Sequence, residues 1–375
     1  MRSICLGGRV CSKGALAVGG VGRGARAAHG ASGAGRMEAT ASGAGGGSRG
    51  PREGEALEAL RRGVVPRLGG EARKGDAGRV AVVGGCREYT GAPYFCAEAS
   101  LRAGADLAHV FCTPAAAAPL KGYSPELIMH PDLPEGAGAP ADADAGASKR
   151  AAETWFGRLD ALALGPGLGR DPAVQRAARD MALAWHSGIG VRGDFDVGTD
   201  GPTRPLVLDG DGLQLALGLL EHDAFTPSRW CVLTPNPNEY RRLLQARNLD
   251  EAQLGEEACA RALAEALGGV TVVRKGREDI ISDGESVLRC TEPGSPRRCG
   301  GTGDVLAGVT VTFLAWARKA HASPLVAAYG ACLVTRRAAR RAFSLQGRGT
   351  LAQDVLGQVG QAFDEFFPAA EYWDP

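Results

Sequence analysis

From Arg79 onward, short apolar runs alternate with amphipathic stretches and glycine-marked turns. Arg79–Gly85 reads as a strand closing in a glycine turn, because an unbroken apolar run, Val80-Ala-Val-Val83, suits a strand covered on both faces. Further strands are predicted at 106–112, 126–130, 160–165, 205–209, 230–234, 269–274, 279–282 and 286–289. Asp283-Gly284, between the last two, is a hairpin turn signal. Apolar positions at helical spacing predict helices at 93–103, 172–185, 212–220, 238–246 and 256–267, and through most of 303–366. Residues 132–148 and 187–204, rich in Gly, Pro, Ala and Asp, read as surface loops. Strands alternating with helices imply an α/β fold, its mostly parallel sheet covered on both faces.

Ligands of such folds bind beyond the carboxyl ends of the strands. Five successive strand ends here carry polar residues or glycine: Gly165-Pro-Gly-Leu-Gly169, Asp209-Gly-Asp-Gly212, Thr234-Pro-Asn-Pro-Asn-Glu239, Lys275-Gly-Arg-Glu-Asp279 and Gly294 to Asp304. Each has an ordinary structural reading beside a functional one. Gly165 to Gly169 is a plain turn or a floor that lets a flat ring approach the backbone. Asp209 and Asp211 are helix caps or catalytic carboxylates. Asn236 with Glu239 is a capping box, or a carboxylate that holds magnesium through water near a triphosphate. Lys275, Arg297 and Arg298 are solvated cations or phosphate ligands. The turn Gly84 to Tyr94 is a surface loop, or a lid whose Tyr89 or Tyr94 stacks on a ring.

The last strand end is the most informative. Gly294-Ser-Pro-Arg-Arg-Cys-Gly-Gly-Thr-Gly-Asp304 precedes the apolar helix Val305 to Phe313. A helix N-terminus offers unpaired N–H groups and the positive end of its dipole, which suits phosphate. Asp304 then stands where it could take a proton from a hydroxyl attacking a phosphoryl group, or merely cap the helix.

Composition narrows the options. The chain has 375 residues, a net charge of +1 and 23% charged residues. Nucleic-acid and anionic-membrane partners have no electrostatic support, and the ten cysteines form no C-x-x-C pair, which argues against a zinc or disulfide framework. Residues 1 to about 53 differ: they are Gly-, Ala-, Ser- and Arg-rich, with no acidic residue before Glu38. That is the composition of a transit peptide to a mitochondrion or chloroplast, the other reading being a disordered low-complexity tail. Met37 would start a cytosolic form.

Six blocks, in order, complete the picture: Val83 to Tyr94, Tyr123 to Ile128, Gly165 to Arg170, Asp209 to Leu213, Leu233 to Asn236 with Glu239, and Gly294 to Asp304. Together they resemble the ribokinase-like superfamily and, within it, the ATP-dependent NAD(P)H-hydrate dehydratases, over about Ala56 to Phe367. The resemblance implies a ribokinase-like three-layer sandwich over 54–370, with 1–53 as a leader outside it. It implies ATP as co-substrate, Mg2+, and the S-form of NADH hydrate and NADPH hydrate as substrates. The matching ATP positions are Lys275, Gly276, Arg277, Glu278, Asp279, Gly294, Ser295, Pro296, Arg297, Arg298, Cys299, Gly300, Gly301, Thr302 and Gly303. The matching hydrate positions are Gly167, Asn236, Pro237, Asn238, Glu239, Tyr240, Arg241, Arg242 and Asp304. Asp304 would be the base, the amides of Gly301, Thr302 and Gly303 would hold the transferring phosphoryl group, and Glu239 would hold magnesium through water. A separate epimerase is implied as a pathway neighbour, since no such domain fits before the fold; a homo-oligomer is compatible with the resemblance. The chain departs from the family at Gly210, where Ala is usual, at Thr302, often Gln, and in the order Arg277-Glu278. A sister kinase for a vitamin alcohol and a non-catalytic nucleotide-binding protein are the rival readings. A hydride-transferring dehydrogenase would need a Gly-x-Gly-x-x-Gly after the first strand, which Gly84-Gly-Cys-Arg-Glu88 does not supply.

Overall fold

The computed structural model describes residues 51–136, 141–188 and 204–374. Its centre is a nine-stranded sheet in the order β10-β9-β8-β7-β6-β5-β2-β3-β4. The strands are β2 Arg79–Val83, β3 Leu107–Phe111, β4 Ile128–His130, β5 Ala161–Leu164, β6 Leu206–Leu208, β7 Cys231–Leu233, β8 Thr271–Arg274, β9 Asp279–Ser282 and β10 Val287–Cys290. All neighbours pair in parallel except β8 with β9 and β9 with β10, the expected hairpin. A two-residue pair, β1 Leu68–Gly69 with β11 Trp373–Asp374, lies outside this sheet.

The period-two pleat sends alternate side chains to two separate apolar layers. Val80 and Val82 join one cluster, Ala81 and Val83 the other; Val232 joins the first, Cys231 and Leu233 the second. Against the first layer lie α1 Glu53–Ala59, α2 Gly91–Arg102, α3 Pro114–Tyr123, and further on α10 Thr302–Lys319, α11 Pro324–Gln346, α12 Ala352–Gly357 and α13 Val359–Phe366. Against the second lie α4 Ala141–Thr154, α5 Pro172–His186, α6 Gly212–Leu220, α7 Pro237–Ala246 and α9 Glu256–Ala266; α8 Glu251–Leu254 and α14 Ala369–Tyr372 are single turns. This is a three-layer α/β sandwich. Helix α10 is buried all round from Val305 to Ala317, which fixes its N-terminus rigidly at the sheet edge.

Two expectations change. The segment 132–148 is not all loop: α4 begins at Ala141 and its Ser148, Ala151 and Ala152 are buried where it packs on α5. Alanine is the best helix former, and its density there outweighs the Asp and Gly that suggested a loop. Glu53 belongs to the fold as the first residue of α1, which follows Arg52 at the N-cap position, and its carboxylate accepts hydrogen bonds from the Thr291 N–H and hydroxyl at 3.2 and 3.0 Å. The boundary set after residue 53 therefore falls inside α1. The sequence pattern does not reveal helix α3, because Pro119 interrupts its alanine run. The leader reading of residues 1–50 and the loop reading of 189–203 fall outside the described residues. Among the described residues, no helix is long and apolar enough to cross a membrane.

The strand order reverses between β2 and β5: the chain runs outward through β3 and β4, then returns to the other side of β2. The loops after β2 and β5 thus flank a crevice at the carboxyl edge, where open α/β sheets bind ligands.

Candidate active site

The loop from Gly294 ends at Gly301, whose φ of +97° is the left-handed region that glycine tolerates. A Cβ there would lie 2.6 Å from that of Ala352 and 3.0 Å from the Phe95 ring. The turn therefore needs glycine both for its dihedral and for its room. It caps α10 and leaves the first amides of that helix directed outward, since the earliest intrahelical bond is the Val305 N–H to the Gly301 carbonyl.

Asp304 follows in the first turn of α10, beside groups from three other strand ends. Asp209, after β6, is buried and accepts hydrogen bonds from the Thr234 hydroxyl at 2.6 Å and from Lys275 Nζ at 3.4 Å. Asp211 accepts the Gly169 N–H at 2.8 Å, tying the β5 loop to the β6 loop. Neither aspartate caps α6 with its side chain. Gly165, with φ +122°, permits this closeness: a Cβ on it would meet the Asp209 carbonyl at 1.9 Å. Burial raises the Asp304 carboxyl to about 7, the negative Asp209 adds to the rise, and Lys275 opposes it. A base poised near neutrality is what proton abstraction from a hydroxyl requires. In Asp209→Asn one source of repulsion is gone, so the acidic limb of the rate profile should move to lower pH. In Lys275→Met it should move up, the compensating cation being lost. A pH profile of kcat/KM checks both, and a limb unmoved in either variant contradicts the electrostatic coupling.

Two cavities meet here. The first, about 900 Å3, is lined by Lys275 to Asp279 and by every residue from Gly294 to Asp304, with Asn236, Pro237 and Glu239. The second, about 920 Å3, occupies the β2/β5 crevice and is lined by Gly167 and Arg242 together with the loop Cys86 to Tyr89. Gly210 and Glu239 line both. Tyr89, 57% exposed, borders the second cavity, whereas Tyr94 packs on Phe95 and Tyr123.

The proposed residues thus separate. Asn236 caps α7 by accepting the Asn238 and Glu239 N–H groups, and Glu239 accepts the Asn236 N–H at 2.7 Å. This is a complete capping box, yet burial still raises the Glu239 carboxyl, and it faces both cavities. Asn238 and Arg241 line neither cavity and bond to each other on the exposed side of α7. Tyr240 turns into the core, 4% exposed, with the Arg274 guanidinium 5.8 Å from its ring centre.

Helix α11 supplies residues that the sequence reading missed. Arg336 and Thr335 line the first cavity; Arg336 pairs with Asp279 at 2.9 Å and donates to the Glu292 and Arg277 carbonyls, bracing both sides of the cavity. No local signal marks them, because a polar residue within a long helix looks like any solvated position. Among the described residues, no three metal-ligating side chains cluster. Glu239 on the cavity wall still fits a magnesium ion that is carried mainly by phosphates and keeps its waters.

The fold is a ribokinase-like α/β sandwich. A ribokinase-like superfamily protein from Enterococcus faecalis shares the fold with TM-score 0.60 at 23% identity, over 83% of this chain and 95% of that one. The ADP/ATP-dependent NAD(P)H-hydrate dehydratase of Bacillus subtilis, co-crystallized with ATP/Mg2+, does so with TM-score 0.60 at 21% identity, over 83% and 97%. The family model for NAD(P)H-hydrate dehydratase matches residues 80–360. The ATP-dependent (S)-NAD(P)H-hydrate dehydratase of Bos taurus is 44% identical over 84% of this chain and 90% of its own length. That of Arabidopsis thaliana is 41% identical over 84% and 86%. The chain belongs to the NAD(P)H-hydrate dehydratase family.

Proposed function

We propose that the protein dehydrates the S-form of NADH hydrate and NADPH hydrate at the expense of ATP, restoring NADH and NADPH and releasing ADP and phosphate. The observation that carries this reading is the placement of Asp304, its carboxyl raised to about 7, in the wall of a cavity that joins a second one through Gly210 and Glu239. The first cavity suits the nucleotide, with the Gly294–Gly303 loop and the N-terminus of α10 around the phosphates. The second is far larger than a vitamin alcohol needs, which favours a dinucleotide over the sister kinases' substrates.

Asp304 takes the proton of the ring hydroxyl as that oxygen bonds to the γ-phosphorus, and the bond from the γ-phosphorus to ADP breaks. The α10 amides hold the transferring group. The phosphate then leaves with the electron pair of its carbon–oxygen bond, and a neighbouring ring carbon passes its proton to the departing phosphate, its C–H electron pair forming the double bond. Glu239 would hold magnesium through water, and the ion would offset the triphosphate charge.

Mixing the full chain with ATP, magnesium and NADH hydrate should give a rising dihydronicotinamide absorbance that requires ATP. Phosphorylation of a vitamin alcohol with no action on the hydrate would transfer the chain to the sister kinases. We also infer delivery to a mitochondrion or chloroplast from the composition of residues 1–53, with a cytosolic form from Met37 and a separate epimerase acting on the same substrate pool. A fluorescent fusion that stays cytosolic when started from Met1 would remove the first of these.

A further inference from the structure

The second cavity carries charge that the proposed chemistry leaves unused. Its acids are all engaged. Glu135 accepts the Ala115 N–H at 3.1 Å, Asp171 caps α5 through the Ala173 N–H at 2.8 Å, and Asp211 holds Gly169. Glu239 closes its capping box, and Glu88 lies 3.4 Å from the Cys86 thiol. Of the arginines, Arg242 acts on Glu239, stabilising its charge at the junction of the cavities. Arg87 and Arg170 also line the cavity, and neither makes a side-chain hydrogen bond or ion pair among the described residues.

These two arginines stand on loops that are locked together. The Gly85 N–H donates to the Gly167 carbonyl at 3.1 Å, and the Tyr89 backbone packs on Gly167 closely enough that a Cβ there would come within 2.8 Å. The loops leave β2 and β5, one on each side of the reversal in strand order. Two uncommitted arginines thus stand on the rim of one cavity, on loops whose backbones are tied together. A guanidinium pairs its planar donors with phosphate oxygens in a fixed geometry, which an apolar or neutral ligand would not use.

We propose that Arg87 and Arg170 form a phosphate subsite that anchors the tail of the dinucleotide while its hydroxylated ring reaches the Gly210–Glu239 junction. The proposal rests on the function argued above and adds the residues that hold the anionic end of the substrate. The phosphate in the subsite is the diphosphate common to both hydrates or the 2′-phosphate of the NADPH form, and the experiment separates them.

The test uses the full chain and its Arg87→Ala/Arg170→Ala double variant, titrated with NADPH and NADH by nicotinamide fluorescence, then assayed on both hydrates. The Kd for NADPH should rise at least about tenfold, as loss of charge-assisted hydrogen bonds implies, with kcat and the KM for ATP unchanged. Arg87→Lys/Arg170→Lys should recover part of the loss. A larger loss for NADPH than for NADH places the 2′-phosphate in the subsite; equal losses place the diphosphate there. Unchanged Kd values for both ligands overturn the subsite, as does a fall in kcat with Kd retained. Wild-type protein that neither binds NADPH nor acts on the hydrates overturns the proposed function itself. Active wild-type protein beside an unaltered double variant overturns the subsite alone.

Discussion

Asp304→Asn should bind ATP as the wild-type chain does and turn over NADH hydrate at least about a hundredfold more slowly, the usual contribution of a general base. The substitution keeps the shape of the side chain and removes its charge, and with it the capacity to accept the hydroxyl proton. The wild-type rate should fall as pH drops through about 7, where burial and Asp209 hold the carboxyl. The same shift has a consequence for stability. A carboxyl raised in the fold binds its proton more tightly in the native state than in the unfolded chain. Between the ordinary carboxylate range and about pH 7 the native state therefore holds more protons, and stability falls as pH rises through that window. Above it, ionised Asp304 is a standing destabilisation that the Asn variant lacks. D304N should melt at the same temperature as wild type or higher above neutral pH. A variant that is inactive and also less stable there would mean that Asp304 supports the fold and not the chemistry.

Gly301→Val should lose about a hundredfold in kcat/KM, the scale of losing preorganised donors to a transferring group. The position combines a φ of +97° with contacts that leave no space for a Cβ: Ala352 at 2.6 Å and the Phe95 ring at 3.0 Å. Ala352 sits on its own helix and Phe95 on α2, so neither can yield without moving an element. The loop must shift, and with it the amides of Thr302 and Gly303. Adding Ala352→Gly removes the closest contact and leaves the dihedral, so the double variant should recover only part of the activity. Steady-state kinetics on ATP and hydrate would show this, and wild-type kinetics in Gly301→Val would contradict the role given to the loop.

The sheet was legible in the sequence because its strands are short, apolar and bounded by glycine, and the polar residues at their ends marked the site edge in advance. The convergence of Asp209, Thr234 and Lys275 could be expected only as strand ends on one edge; the hydrogen bonds that join them depend on sheet order. Helix periodicity hid the remainder. Arg336 sits in a long helix with nothing around it to announce a cavity wall, and Tyr240, adjacent to a residue that does face the cavities, rotates into the core one helical step later. Contiguous motif residues on a helix cannot all face one ligand, so Asn238 and Arg241 fall on the outer side. Alanine-rich α4 shows the converse, a segment whose turn residues masked its helix propensity.

On the proposed route the ATP-derived phosphoryl group passes through the ring hydroxyl to bring about dehydration. The most direct measurement follows ADP formed and dihydronicotinamide restored in one reaction, with wild-type protein and with Asp304→Asn. The wild-type chain should form the two products in equal amounts, and the variant should form both at least about a hundredfold more slowly. Restoration without ADP, or ADP without restoration, would contradict it.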